Sequence, residues 1–65
     1  MKHEELKGKW NQLKGKVKEQ WGELTGDDID KIDGRHDQLV GRIQERYGKT
    51  RETAEREVEE WSKIN

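Results

Sequence analysis

Two segments of this chain repeat one another: residues 8–22, GKWNQLKGKVKEQWG, and residues 34–48, GRHDQLVGRIQERYG. At an offset of 26 residues, Gly8/Gly34, Gln12/Gln38, Leu13/Leu39, Gly15/Gly41, Glu19/Glu45 and Gly22/Gly48 are identical. Lys9/Arg35, Asn11/Asp37, Lys16/Arg42, Val17/Ile43 and Trp21/Tyr47 are conservative pairs. An acidic segment follows each copy. The unit is a basic helix, a glycine-marked turn and an acidic helix, used twice. One domain over residues 1–65 accommodates both copies.

The period of the apolar residues makes the repeat helical. Leu6, Trp10, Leu13, Val17, Trp21 and Leu24 are spaced 4, 3, 4, 4 and 3, which is one stripe of an amphipathic helix. Leu39, Val40, Ile43 and Tyr47 continue the pattern in the second copy, with His36 where Trp10 stands in the first. Ala54, Val58, Trp61 and Ile64 form a third stripe, and Ile29 and Ile32 suit one short helix. No segment alternates with period two over a useful length, so strands are not expected. The spacing predicts helices near 4–22, 27–33, 35–47 and 51–63. The expected fold is an all-α four-helix bundle of two helical hairpins. Its expected core is Leu13, Val17, Trp21, Ile29, Ile32, Leu39, Ile43, Tyr47, Val58 and Trp61.

Local punctuation agrees. Thr25 with Asp28 three residues later fits an N-terminal capping pattern, and Asp27, Asp28 and Asp30 then sit where a helix dipole favours acids. Thr50 is placed to cap the last helix. Gly48 falls where a left-handed C-terminal residue is wanted, and Gly34 is placed to do the same for the short helix. Gly15 lies about 180° from Leu6 around the first helix, away from its apolar stripe. An interior glycine costs about 1 kcal/mol of helix relative to alanine. Gly15 therefore serves either close approach of another helix or weakening of its own. Gly22, Gly34 and Gly48 read as helix ends.

Only 26% of the residues are apolar and 45% are charged, with a net charge of -1. The charge is sorted along the chain. Residues 1–22 carry +3, residues 23–34 carry -4, residues 35–51 carry +3 and residues 52–65 carry -3. Such alternation suits basic segments lying beside acidic ones, within one molecule or between molecules. It is not the footprint of a dedicated nucleic-acid binder. A basic face from Lys7, Lys9, Lys14, Lys16 and Lys18 with Arg35, Arg42, Arg46 and Lys49 would require the two basic helices to lie side by side. Nucleic acid is accordingly not the expected partner. There is no cysteine to staple the fold and no long apolar run to cross a membrane. A cytoplasmic, monomeric chain is expected, with no membrane association, weak self-association at most, and an unidentified protein as the remaining kind of partner.

Chemistry has few footholds. The nucleophile and base candidates are Ser62, His3 and His36, and none is spaced with partners that would activate it. A carboxylate acid/base couple needs a desolvated cleft to split its pKa values, and so small a core leaves little room for one. Asp28, Asp30 and Asp33 with Gly34 depart from a calcium loop, since Ile32 and Leu39 occupy positions that need oxygen ligands. Trp10, Trp21, Tyr47 and Trp61 fall on or beside the apolar stripes and read as core anchors rather than base-stacking platforms. No catalytic, cofactor-binding or metal-binding residue is expected, no cofactor, and no enzyme.

The stretches KGKVKEQWGELTGDD and DGRHDQLVGRIQERYGKTRETAEREVEEW resemble the CsbD-like family of small bacterial stress-response proteins. The most specific pieces are Gly15 to Glu19, Trp21-Gly22, Leu24-Thr25 and Gln38 to Gly48. The resemblance implies two hairpins packed orthogonally in the manner of a SAM domain, induction in the general stress response and a cytoplasmic location. It brings no catalytic motif and no ligand. Seven glycines and a mean hydropathy of -1.50 also resemble the hydrophilins, which protect macromolecules during water loss. The expected function is that of a non-enzymatic stress-response protein with a hydrophilin-like protective action. The alternatives are a protein–protein interaction module using the charge-sorted hairpins, or weak non-specific binding of nucleic acid.

Overall fold

The computed structural model describes residues 3–64, with the His3 side chain outside the described part. The regular elements are all helices: α1 His3–Gly8, α2 Trp10–Gln20, α3 Gly26–Ile32, α4 His36–Tyr47 and α5 Arg51–Ile64. Helix α4 packs against α1, α3 and α5, and α1 against α2. The four expected helices become five because the first is broken at Lys9, which sits at φ -108° and ψ 16° between α1 and α2. The break follows Gly8, whose backbone loses more conformational freedom in a helix than that of any residue with a side chain. Hydrogen bonding runs on through it, from Lys9 N–H to the Glu5 carbonyl and from Leu13 N–H to the Lys9 carbonyl, both at 2.9 Å. The end of α4 at Tyr47 and the start of α5 at Arg51 fall where expected, and the other ends lie within two residues of expectation, as fraying helix termini do.

The break lets both segments wrap the α3–α4 corner. Gly34, at φ 77°, lies so close to α1 that a Cβ there would come within 2.8 Å of the Lys7 Cα and 3.1 Å of the Trp10 Cβ. Gly34 was expected to be the left-handed cap of α3. Asp33 takes that place instead, at φ 46° and ψ 41°, its N–H bonded to the Ile29 carbonyl. Glycine is needed at 34 for both its positive φ and its close approach. Gly48 closes α4 as expected, at φ 64°. Thr25 and Asp28 form the expected capping box, each side chain accepting the other's backbone N–H. Thr50 Oγ1 accepts the Thr53 N–H at 3.2 Å at the start of α5.

The stripes meet in one core. Of the expected core residues, all but Tyr47 are buried, and Leu6, Trp10, Leu24, Val40 and Ala54 join them. Trp21 and Trp61 pack with ring centroids 5.4 Å apart and planes tilted by 60°, an arrangement favoured by aromatic quadrupoles. Tyr47 stays half-buried at the rim because its hydroxyl accepts the Glu23 N–H at 3.1 Å, holding the ring's polar end outward.

Candidate functional site

Asp28 is the one charged side chain in the interior, 2% exposed among the described residues. A lone buried carboxylate would be costly, so its partners are what make the position tenable. Arg46 reaches it from α4 with Nε at 2.8 Å from Oδ2 and a terminal nitrogen at 3.1 Å from Oδ1. Arg42, one turn earlier on the same face of α4, lies 3.7 Å from Oδ1. The Thr25 N–H donates to Oδ2 at 3.0 Å. The Arg46 hydrogen bonds, and after them the Thr25 N–H, hold the carboxyl far below the usual carboxylate range against the opposing effect of burial. Asp28 therefore stays ionised, and it ties the start of α3 to the end of α4.

A second polar knot lies at the α5 side. Lys49 donates to Glu57 Oε2, and the Trp21 indole N–H donates to Glu57 Oε1 at 3.3 Å. Lys49, then the indole, lower the Glu57 pKa despite partial burial. The Lys49 ammonium also sits 5.0 Å from the Tyr47 ring centroid, a cation–π contact. Both knots are built from side chains whose acceptors are already engaged, and they hold elements together.

The residues weighed for chemistry are scattered. Ser62 is buried and its hydroxyl donates to the Glu59 carbonyl at 2.7 Å, a local back-bond along α5. His36 is half-buried at the start of α4, its Nδ1 3.8 Å from Asp37 Oδ1. It shares a shallow depression with Glu4, Lys7 and Gly34. The His3 side chain lies outside the described residues. Of the three aspartates weighed as a calcium loop, Asp28 is buried against arginine while Asp30 and Asp33 are exposed. No group of three acids or histidines among the described residues converges as a metal site would require. Trp10, Trp21 and Trp61 are all buried in the core, so none offers its face to a base.

The sorted charges divide unequally. Lys31, Arg42, Arg46, Lys49, Arg51 and Arg56 each lie within ion-pair distance of a carboxylate. In α1, α2 and the break between them, by contrast, Lys7, Lys9, Lys14, Lys16 and Lys18 form no ion pair among the described residues. Of the second basic block, Arg42, Arg46, Lys49 and Arg51 pair within the molecule and Arg35 does not pair among the described residues, while these lysines of the first block face solvent. The Asp28–Arg46 pair is not foreseen from the sequence, which places Asp28 in the cap and first turn of α3 and weighs it against a calcium loop. The available signal was Arg42 and Arg46 four apart on α4, beside the apolar stripe.

No described helix is long and apolar enough to cross a membrane. A family model described as CsbD-like matches residues 4–56. The chain is 59% identical over 63 residues to the UPF0337 protein YjbJ of Escherichia coli O6:H1, covering 97% of this chain and 91% of that one. It is 53% identical over 62 residues to the UPF0337 protein PA4738 of Pseudomonas aeruginosa, covering 95% of each. With YjbJ of Salmonella typhimurium the identity is 55% over 65 residues, covering 100% of this chain and 93% of the relative. No solved structure matches.

Proposed function

The chain belongs to the CsbD-like family, and from that premise we propose that it is a non-enzymatic general stress-response protein of the cytoplasm. It protects other macromolecules through a hydrated, charge-dense surface. The observation that carries this reading is the separation of the side chains. The large apolar groups are gathered into one core, and among them only Ile64 is left exposed in the described residues. Nearly half the chain is charged, and among the described residues Asp28 is the one charged side chain that is buried. Such a surface stays soluble when concentrated, because it offers neighbours little apolar area to adhere to and retains its own water. As water is lost, molecules of this kind separate client proteins whose exposed apolar patches would otherwise meet.

The test is recovery of a labile enzyme after drying with this protein or with an equal mass of an ordinary globular control. Greater recovery with this protein is expected. Equal recovery removes the protective reading. The crossed arrangement of two hairpins, SAM-like in type, belongs to the same proposal. The packing of α4 against both α3 and α5 is compatible with it, and interhelical angles from a solution structure decide it.

Docking on a protein partner is the second reading, favoured by Lys7, Lys9, Lys14, Lys16 and Lys18, which pair with no carboxylate among the described residues. Crosslinking in stressed cells tests it. Recovery of one defined partner through these lysines would place docking ahead of protection.

A further inference from the structure

Helices α2 and α5 flank a groove of about 230 Å³, walled by Lys16, Glu19 and Gln20 on one side and by Trp61 and Ile64 on the other. Ile64 is 86% exposed, the one large hydrophobic side chain in solvent among the described residues. Glu60 precedes it by one helical turn and shares its face of α5. Neither Lys16 nor Glu60 belongs to an ion pair among the described residues. The α2 wall therefore carries Lys16 and Glu19, three residues apart and both without an ion partner, the opposite helix carries Glu60 and Lys63 with the signs reversed and equally without one among the described residues, and an apolar side chain stands beside the opening between them.

A face with this pattern is complementary to itself. A two-fold axis through the groove lays the α2 wall of one molecule on the α5 wall of another, and the reverse contact follows by symmetry. We propose that this groove binds a second copy of the chain, with Lys16 facing the partner's Glu60 and Ile64 entering the partner's groove. An acidic partner of another kind would satisfy Lys16 but leave Glu60 repelled, whereas a second copy satisfies both at once. Exposed ion pairs contribute little, and one apolar side chain per half is a small anchor. The pairing is therefore weak and belongs to high protein concentration. It stands independently of any protective action.

Sedimentation equilibrium over about 0.02–2 mM chain, a range that spans weak association, reads the prediction directly. At about 20 mM salt, where surface charges are poorly screened, the mass is expected to climb from 7.8 kDa towards twice that value. Ile64→Asp should hold the chain monomeric with its helical circular dichroism unchanged, since the side chain is already in solvent. Lys16→Glu should do the same, and the double change Lys16→Glu with Glu60→Lys should restore the rise. A constant monomer mass in the unchanged protein overturns the proposal. So does association that persists in both single variants, which would put the contact on another face.

Discussion

Arg46 holds the buried carboxylate of Asp28 through two parallel hydrogen bonds, at 2.8 and 3.1 Å, and so joins the last turn of α4 to the first turn of α3. The fork matches both carboxylate oxygens at once, a geometry that only arginine supplies. Arg46→Lys should keep the charge and lose the second bond. Asp28→Asn should leave Arg46 without its counter-ion and cost about 2 kcal/mol, as for charged hydrogen bonds with one partner part-exposed. Urea unfolding of the two single variants and the double variant measures the coupling. Additive losses would show that the pair is not energetically linked.

Acid should weaken the fold through the same residue. The folded pKa of Asp28 is depressed, mainly by Arg46, and that of Glu57 is depressed by Lys49. A depressed carboxyl contributes stability in full above its unfolded pKa, about 4, and loses it as pH falls towards the folded value. Melting temperature is thus expected to be flat down to about pH 5 and to drop below it. The drop should be shallower in Asp28→Asn, which has no proton to take up. Parallel pH profiles for the two proteins would exclude Asp28 as the source.

Two glycines should respond in opposite directions. At Gly15 an added Cβ meets nothing within 4 Å, so Gly15→Ala should stabilise α2 by about 1 kcal/mol and raise melting by roughly 4–8 °C. At Gly34 the positive φ costs a side chain about 1–2 kcal/mol, before its collision with the Lys7 backbone is counted. Gly34→Ala should therefore melt lower. Thermal melts of the two variants check both signs.

Trp21 is 2% exposed, packs on Trp61 and donates to Glu57. Trp21→Ala should cost about 3–5 kcal/mol. At roughly 0.05–0.15 kcal/mol per residue, a domain of 65 residues has about 3–10 kcal/mol in total, so the loss takes a large share of it. The variant should be largely unfolded at 37 °C by circular dichroism. A cooperative melt near that of the unchanged protein would contradict the burial of this ring.

Much of this architecture was legible in the chain because it depends on neighbours three or four residues apart. The stripe through Leu13 and Val17, its copy through Leu39 and Ile43, and the Thr25–Asp28 capping box are all local patterns. Burial of these residues follows from helical period and hydrophobicity without knowledge of the partner helix. The candidate groups for chemistry were equally readable as scattered, since Ser62, His36 and the aspartates fall on different helices and faces.

What the tertiary structure decided are the relations between distant residues. The spacing of Thr25 and Asp28 marks Asp28 as part of a cap but says nothing of Arg46, because a long-range ion pair depends on how α3 and α4 are docked. Gly8 marks a weak point in the first helix, but the corner that α1 and α2 make around Gly34 depends on tertiary fit, which local helix preference does not reveal. Charge sorting along the chain was plain in the sequence, but which block would be neutralised was not. Arg42 and Arg46 of α4 reach the buried Asp28 of α3 from the surface, while the lysines of α2 point into water. Helical period determines which face a residue occupies; only packing determines what that face meets.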